Sequence, residues 1–517
     1  MDPYPRALQV LGQTFGYKEF RPYQWSIIKH ILDAKDVLAI MPTGAGKSIC
    51  YQIIPLLTNE MAIIVSPLIA LMEDQVNTMN RLGVGSCMYA GSLGQKIKKQ
   101  ARDDMRAGKI KLLYTTPETL SNPETMELIE SIYATQGISV VAVDEAHCIS
   151  SYGFDFRPKY QEIAKIRKLL DNVPVLCMTA TATQTVADDI VRVMEMEKHM
   201  RVISSFDRPN LMIRVKPFSD DTVDQIVDII NGTDGSVIIY CVTVVDTEKV
   251  AGLLVDKGID AKAYHAGIGD RSEVQKGFMD DTYKCIVATI AFGMGIDKSD
   301  VRHVVHYGCP KNIESYYQEI GRAGRDGAVA ECTMFYRPKD FHTNMYFIGK
   351  IQDPRFKKQS KDLLETISKY VNTKDCRRRF IIEYFNQRTD VMNCKFCDNC
   401  TTNIRKIDAR HEQMLFDVIE TIQALGSMGM TYGATTLGLI LKGSDSKKIK
   451  SSVKDTRCHG VMRSLSIKLI GGFIQQINIL GYIEDWDKGD CIRVIRVTER
   501  GKEFAEQYRA QGIVDDM

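Results

Sequence analysis

The chain has 517 residues, of which 44% are hydrophobic and 26% are charged. This length is too great for a single hydrophobic core and predicts three or four domains, and the composition excludes a largely disordered chain. With 67 basic and 65 acidic residues the net charge is +2, so any nucleic-acid surface has to be local. We find no apolar stretch of membrane-spanning length and no signal peptide, which predicts an intracellular protein without a membrane partner.

Short apolar runs alternate with amphipathic stretches from residue 36 to about residue 340. This alternation predicts an α/β fold, with parallel sheets covered by helices. Five runs precede a break at 204–213, where Pro209 interrupts strand pairing, and a similar number follow it. We therefore predict two doubly wound parallel-sheet domains, over residues 1–205 and 206–340.

The pattern becomes helical after residue 341, in stretches such as 361–371 and 376–385. From about residue 406, several helical stretches precede two predicted strands that are joined around Lys488 and Gly489. Helices followed by a β-hairpin are typical of a winged helix. We predict a helical subdomain over 341–405 and a winged-helix domain over 406–517.

A glycine-containing loop, MPTGAGKS, connects the first predicted strand to a helix. In such a loop the backbone amides face phosphate oxygens, Lys47 reaches the β and γ phosphates, and Ser48 binds Mg²⁺. The loop departs from the usual pattern because Met41 stands where a glycine is usual. Loops that end in Gly-Lys-Ser also occur by chance in unrelated proteins. The loop alone therefore does not distinguish a nucleotide-binding loop from a chance match.

Two adjacent acids stand at the end of another apolar strand, in the sequence DEAH. Asp144 is placed to hold the Mg²⁺ shell, and Glu145 is placed to accept the proton of an attacking water. The alternative is a solvated acid pair at a strand end. Together with Lys47, the pair predicts hydrolysis of ATP with Mg²⁺.

The second predicted α/β domain ends in QEIGRAGRDG, where Arg322 and Arg325 are three residues apart and could share a helix face. A cation delivered from a second domain to the γ-phosphate is worth ~10³ to 10⁵ in rate. We predict this catalytic role for Arg325. The alternative is a surface arginine pair beside flexible glycines.

Four of the 14 cysteines are grouped, and the other ten are scattered through apolar strands and loops. Thiolates in this spacing select Zn²⁺ in a closed tetrahedral site, and disulfides are disfavoured inside cells. We predict one structural zinc ion, held by Cys376, Cys394, Cys397 and Cys400.

These motifs resemble, in order and approximate spacing, those of the RecQ family of DNA helicases. The resemblance covers nearly the whole chain and rests on FGYKEFRPYQ, MPTGAGKSICYQ, SPLIALMEDQV, DEAHCIS, MTATAT, YHAG, VATIAFGMGIDK, YYQEIGRAGRDG and the four cysteines. It implies a superfamily-2 motor of two RecA-like domains, followed by a zinc-binding subdomain and a winged helix. It also implies that the chain lacks the C-terminal helical accessory domain of many relatives.

The resemblance further implies an ATP site in which Tyr17 and Arg21 pack on adenine and Gln24 hydrogen-bonds its edge. Alternatively, Tyr17 and Phe20 form an N-terminal core cluster. The full set that the motifs assign to ATP is Tyr17, Arg21, Gln24, Thr43, Gly44, Ala45, Gly46, Lys47, Ser48, Gln318, Arg322 and Arg325.

An aromatic stretch follows the acid pair directly, and a DNA base that contacts Tyr152 or Phe156 could displace it and reposition Glu145. Family members usually carry Trp at the position of Tyr152 and His at that of Phe154. Alternatively, these aromatics are buried core residues. Trp486 in the predicted hairpin is either a strand-separating wedge or packed on the winged-helix core. The residues assigned to DNA contact or coupling are Ser66, His147, Tyr152, Phe154, Phe156, Arg157 and Trp486.

We therefore expect an ATP-dependent DNA helicase that moves 3′ to 5′ along single-stranded DNA and unwinds duplexes with a 3′ single-stranded tail, in replication, recombination or repair. A monomer is expected to be the functional form. One alternative is a DEAH-type RNA helicase. Another is a DNA-binding ATPase clamp that does not separate strands.

Overall fold

The computed structural model describes residues 2–153, 155–290, 292, 298–401, 409–479, 481–487 and 493–510. The chain divides into two compact units, Met1–Cys400 and Thr401–Met517. No helix within the described ranges combines the length and the apolar character needed to cross a bilayer.

The first unit begins with a seven-stranded parallel sheet, ordered β3-β4-β2-β5-β6-β1-β7. Its central strands are buried on both faces, as their continuous apolar runs predict. The strands are β1 Asp36–Ile40, β2 Met61–Val65, β3 Ser86–Tyr89, β4 Leu112–Thr115, β5 Ile138–Val143, β6 Val175–Thr179 and β7 His199–Ile203.

Helices cover both faces of this sheet, since its residues divide between two core clusters. The α-helices are α1 Tyr4–Val10, α2 Gln24–Leu32, α3 Ile49–Gln52, α4 Ile54–Thr58, α5 Ile69–Arg81, α6 Gln95–Arg106, α7 Pro117–Leu120, α8 Pro123–Gln136, α9 Pro158–Gln161, α10 Ile166–Leu169 and α11 Gln184–Val193. Leu11–Phe15 forms a π-helical turn, and Ala146–Ile149 and Glu162–Lys165 form 3₁₀ turns.

A six-stranded parallel sheet follows, ordered β10-β11-β9-β12-β13-β8. Its strands are β8 Leu211–Pro217, β9 Ser236–Cys241, β10 Ala261–Tyr264, β11 Cys285–Ala288, β12 Val301–Tyr307 and β13 Ala330–Tyr336. The helices of this part are α12 Thr222–Gly232, α13 Val244–Asp256, α14 Arg271–Met279, α15 Ile313–Ile320, α16 Pro338–Gly349, α17 Pro354–Asn372, α18 Arg377–Tyr384 and α19 Asp398–Thr401.

The two predicted parallel sheets are confirmed, and each contains more strands than the sequence indicated. The three additional strands, β3, β7 and β8, all lie at sheet edges. They are partly exposed, with residues of mixed polarity, so they lack the continuous apolar run that identifies an interior strand. The predicted domain bounds remain predictions, although the chain does pass from the first sheet to the second between β7 and β8.

The second unit is a winged helix, with helices that precede an antiparallel hairpin as predicted. Its core brings together apolar residues of α20, α21, α23 and the hairpin, such as Ile419, Ile440, Ile474 and Ile495. The predicted turn at Lys488 and Gly489 lies outside the described residues. The elements are α20 Ala409–Ser427, α21 Ala434–Lys442, α22 Ser451–Lys454, α23 Ile467–Ile479, β14 Ile483–Asp487, β15 Arg493–Val497 and α24 Glu499–Ala510.

Candidate nucleotide and DNA site

The phosphate loop occupies the carboxyl end of β1, where a parallel sheet commonly binds ligands. Gly44 and Gly46 have φ angles of +84° and +77°, which glycine adopts without strain. A Cβ on Gly46 would also lie only 2.6 Å from the side-chain nitrogen of Gln24. Glycine at this position therefore lets the loop lie directly against α2.

Lys47 is partly buried in this loop and donates to the carbonyl of Met41 at 3.1 Å. Burial lowers the pKa of Lys47, whereas the nearby carboxyls of Glu145 and Asp144 oppose the shift and Arg325 adds to it. The lysine thus lies in the electrostatic field of both the acid pair and an arginine of the second sheet.

Arg21 and Gln24 contact the loop backbone. The Arg21 guanidinium donates to the carbonyl of Gly44, and the Gln24 amide donates to the carbonyl of Gly46 at 2.8 Å. The Gln24 side-chain oxygen also accepts from the Arg21 backbone N–H at 2.8 Å. The sequence motif placed both residues at the nucleotide, and the structure places them against the phosphate loop.

Tyr17 and Phe20, which the alternative interpretation grouped together, have different surroundings. Phe20 packs with Trp25 and Tyr4, at ring-centroid distances of 5.8 and 6.2 Å. Tyr17 is 53% exposed. An exposed ring is available for stacking, and the contact of Tyr17 with adenine stays a prediction.

The acid pair lies where β5 ends beside β2, and the Asp144 N–H donates to the carbonyl of Val65 at 2.9 Å. Glu145 has a φ of +49°, which is uncommon for a residue with a side chain and marks a local strain. Burial raises the pKa of Asp144 to about 6, and Glu145 adds to this shift. Two partly exposed carboxyls beside one lysine are a donor set that fits a divalent cation.

His147 connects the acid pair to the neighbouring strand β6. Its Nδ1 lies 2.9 Å from the Thr179 hydroxyl and 3.3 Å from a carboxylate oxygen of Glu145. Burial alone would raise the pKa of Glu145, but the hydrogen bond and charge of His147, with Lys47 and Arg322, lower it overall. Glu145 is therefore the more readily ionised acid of the pair.

The second sheet supplies the two predicted arginines through the turn that follows α15. A Cβ on Gly44 would lie 3.3 Å from Cγ of Arg325, and one on Gly321 would lie 3.5 Å from Cβ of Thr43. Arg322 is buried and contributes to the charge around Glu145. The structure thus brings Arg325 against the phosphate loop, and Gln318 lies one helical turn before Arg322, buried on α15.

The connection between the sheets holds this arginine turn, which sequence reasoning did not predict. Arg208 donates to the carbonyls of Ala323 at 2.9 Å and Gly324 at 3.2 Å. Asn210 donates to the carbonyls of Gly324 and Ala328, both at 2.9 Å. With a further bond from Arg208 to the carbonyl of Gly321 at 3.4 Å, five hydrogen bonds fix the backbone that carries Arg325.

The aromatic loop after the acid pair is exposed at Tyr152, with 56% of this residue accessible, whereas Phe156 is half-buried. Gly153 packs on the backbone, because a Cβ there would lie 2.3 Å from the carbonyl oxygen of His147. Gln359 on α17 donates to the carbonyl of Tyr152. Phe154, also predicted for this site, lies outside the described residues.

Arg157 and Ser66 border the aromatic loop on the side of β2. Arg157 donates to the carbonyl of Pro67 at 3.4 Å and pairs with Asp155 at 3.4 Å. The hydroxyls of Ser66 and Thr181 are buried and make no hydrogen bond to the described part of the chain. Such unused hydroxyls are compatible with the predicted contact of Ser66 with a strand.

The four predicted zinc ligands come together in the structure. Cys376 directly precedes α18, Cys394 and Cys397 precede α19, and Cys400 lies on α19. The sulfur atoms of Cys376, Cys394, Cys397 and Cys400 all lie within 4.8 Å of one another. Tetrahedral Zn²⁺ with Zn–S bonds near 2.3 Å requires sulfur separations of about 3.8 Å, so this set fits the ion. Arg377 pairs with Asp398 at 2.6 Å and ties the helix to the cysteine loop.

Trp486 lies on β14 opposite Val494 of β15 and is 40% exposed. The Arg496 guanidinium carbon lies 5.6 Å from the centre of its ring. Because 488–492 at the hairpin tip are outside the described residues, both interpretations of Trp486 stay open.

Four family models match consecutive parts of the chain. They describe the DEAD/DEAH box helicase over residues 21–190, the helicase conserved C-terminal domain over 221–327, RecQ zinc-binding over 338–401 and the RQC domain over 412–511. The order of these matches is the order of the elements described above.

Curated relatives match over most of the chain. It is 39% identical to a protein of Acanthamoeba polyphaga mimivirus that is named, provisionally, ATP-dependent RNA helicase R290, with 99% of this chain and 95% of that protein covered. It is 35% identical to ATP-dependent DNA helicase RecQ of Bacillus subtilis, with 91% and 79% covered.

Among solved structures, the Mycobacterium smegmatis helicase Lhr bound to ssDNA and AMP-PNP has a similar fold. The TM-score is 0.55 at 17% identity, over 98% of this chain and 62% of that one. The zinc-binding and RQC matches, the four grouped cysteines and the identity to a RecQ protein together show that the chain belongs to the RecQ family of helicases.

Proposed function

We propose that this chain is an ATP-dependent DNA helicase of RecQ type. The observation that carries the proposal is the contact of Arg325, from the second sheet, with Gly44 of the phosphate loop. It supports an ATP site shared by two RecA-like domains, in which closure and opening of the domains accompany hydrolysis.

Each side chain has a distinct role at this site. Lys47 neutralises the β and γ phosphates, and Arg325 places a further positive charge where negative charge develops. Ser48 and Asp144 would hold Mg²⁺, which supplies Lewis-acid stabilisation of the transferred phosphoryl group. Glu145 orients the attacking water and accepts its proton.

The segment from Glu145 to Arg157 links this chemistry to DNA. His147 contacts Glu145 through its side chain and Gly153 through its backbone carbonyl. A base that stacks on the aromatic loop would shift Gly153, and the shift would reach Glu145 through His147. Hydrolysis would then depend on an occupied strand site.

DNA, rather than RNA, is the proposed polynucleotide, because the chain matches the RecQ zinc-binding and RQC models and is 35% identical to a relative named ATP-dependent DNA helicase RecQ. The name of the mimivirus relative favours RNA as the second candidate. Movement 3′ to 5′, action as a monomer and an intracellular location remain predictions.

The proposal is tested by unwinding of 3′-tailed and 5′-tailed duplexes, each made in DNA and in RNA, with ATP and Mg²⁺. We expect ATP-dependent separation of the 3′-tailed DNA duplex alone. Preferred separation of the RNA duplexes would establish the second candidate. Hydrolysis of ATP without separation of any duplex would instead indicate a DNA-binding clamp.

A further inference from the structure

Helix α16 exposes three consecutive large apolar residues to solvent. Met345, Tyr346 and Phe347 are 37%, 62% and 47% exposed, whereas Phe341 and Ile348, one helical turn before and after Met345, are buried. Met345 therefore borders the buried face of the helix, and Tyr346 and Phe347 form an exposed aromatic pair beside it. An exposed cluster of this kind marks a binding surface more often than a single exposed residue does.

The same part of the chain is strongly basic. Residues 338–361 contain six basic and two acidic residues, a net charge of +4 within a chain whose total is +2. Both acids are already engaged, since Asp340 pairs with Arg337 at 3.2 Å and Asp353 caps α17. The basic residues are Lys339, Lys350, Arg355, Lys357, Lys358 and Lys361.

The lysines lie beside the aromatic rings. The Lys350 ammonium lies 4.4 Å from the ring centre of Tyr346, and the Tyr346 and Phe347 rings are 5.8 Å apart. Lys357 donates to the carbonyl of Gly349 at 2.7 Å, which holds a second ammonium at the end of α16. Aromatic faces for bases, with cations for the adjoining phosphates, are the two components of a single-strand binding site.

This surface also adjoins the aromatic loop. Gln359, on the same helix α17 as Lys357, donates to the backbone carbonyl of Tyr152 and lies 3.5 Å from that of Gly153. The loop proposed to sense DNA and the exposed face of α16 are thus joined through α17.

We propose that Tyr346, Phe347 and Lys350 form a further binding site for single-stranded DNA, which we term the α16 platform. Bases stack on the two rings, while Lys350 and Lys357 contact phosphates without reading sequence. The platform rests on the proposed function and adds to it a strand contact outside the two sheets. The excess of positive charge around the platform favours a negatively charged ligand, and single-stranded DNA combines such charge with bases that can stack.

The test measures binding of the full chain to a fluorescent oligothymidylate by anisotropy, over a series of salt concentrations. Tyr346→Ala is expected to weaken binding by about fivefold or more, because a stacked base is lost, and Tyr346→Phe is expected to bind like the parent. Lys350→Gln should reduce the slope of log affinity against log salt by about 0.7, the value for one phosphate contact on a single strand.

Val245→Ala and Lys276→Gln are the matched controls, because both residues are exposed on α13 and α14, helices of the preceding α/β domain. Binding of Tyr346→Ala equal to that of the parent, or an unchanged salt slope for Lys350→Gln, would overturn the platform and assign the surface to a protein partner. The proposed function would survive that result if the parent binds and unwinds DNA. A parent that binds no single strand would overturn both.

The substitutions are on the surface, so loss of folding is separable from loss of binding. Thermal unfolding midpoints within about 2 °C of the parent are expected for all of the variants. Tyr346→Phe, which keeps the ring and removes only the hydroxyl, distinguishes base stacking from a hydrogen bond of the tyrosine. Weak binding by Tyr346→Phe would contradict stacking as the origin of the contact.

Discussion

Asp144 and Glu145 are neighbours in sequence, but their surroundings separate their proton affinities. Burial raises the pKa of Asp144 to about 6, whereas His147, Lys47 and Arg322 outweigh burial at Glu145 and lower its pKa. Pairs of carboxyls with separated pKa values commonly have different roles. Here a bound cation would favour the ionised form of Asp144. Glu145, with its lowered pKa, is the carboxylate that can accept a proton.

Glu145→Gln is expected to bind ATP with near-parent affinity and to lose nearly all hydrolysis, because an amide cannot accept the proton of water. Single-turnover hydrolysis and nucleotide binding are measured on the same preparation. Glu118→Gln, an exposed acid of the same domain, is the control. Turnover of Glu145→Gln within a few-fold of the parent would remove Glu145 from the role of base.

At the scale of elements, the connection between β7 and β8 sets the position of the arginine turn. Arg208→Ala removes hydrogen bonds to the carbonyls of Ala323 and Gly324. We expect kcat for ATP hydrolysis to fall about 10- to 100-fold with a smaller change in KM, because misplacement of Arg325 affects the transition state most. Arg214→Ala on β8 is the control, and equal losses in both variants would refute the positioning role.

The zinc-binding subdomain is expected to depend on its metal for folding rather than for catalysis, since four thiolates leave no position for water. Metal analysis should find one Zn²⁺ per chain. Cys397→Ser should lower the thermal unfolding midpoint by about 5 °C or more, whereas Cys458→Ser, outside the set, should not. A soluble, fully active preparation without zinc would refute this prediction.

Strands with a continuous apolar run were predictable from sequence, and three of the four edge strands, β3, β7 and β8, were not. The buried run at Ile138–Val143 identifies β5 directly, whereas His199–Ile203 at a sheet edge has one buried residue, Val202, among exposed and partly exposed ones. The positions of Lys47 and Asp144 were also predictable, because local motifs fix them. Arg208 and Gln359 were missed because they bind backbone carbonyls more than a hundred residues away. Every residue has a backbone carbonyl, so the sequence does not identify such a partner.

At the scale of the molecule, the winged-helix unit offers Trp486 as a candidate for strand separation. If Trp486 replaces lost base stacking, Trp486→Ala should slow unwinding about fivefold or more while DNA-stimulated ATPase stays near the parent rate. Val461→Ala, also exposed in this unit, is the control. Equal unwinding rates for Trp486→Ala and the parent would assign strand separation to another element.

The central claim is that one continuous segment, residues 144–157, couples the strand to hydrolysis. It begins with the acid pair beside Lys47 and ends with an aromatic loop that also contacts α17. A motor of this design requires that DNA at the loop alters the acid pair. A segment that only bound nucleotide would not need to respond to DNA.

The most direct measurement is the ATP hydrolysis rate of the parent and of Phe156→Ala, without DNA and with saturating single-stranded DNA. Our account predicts strong stimulation of the parent, and a Phe156→Ala variant that keeps the DNA-free rate but loses most of the stimulation. Full stimulation of Phe156→Ala, accompanied by a lower unfolding temperature, would contradict the account and place Phe156 in the core.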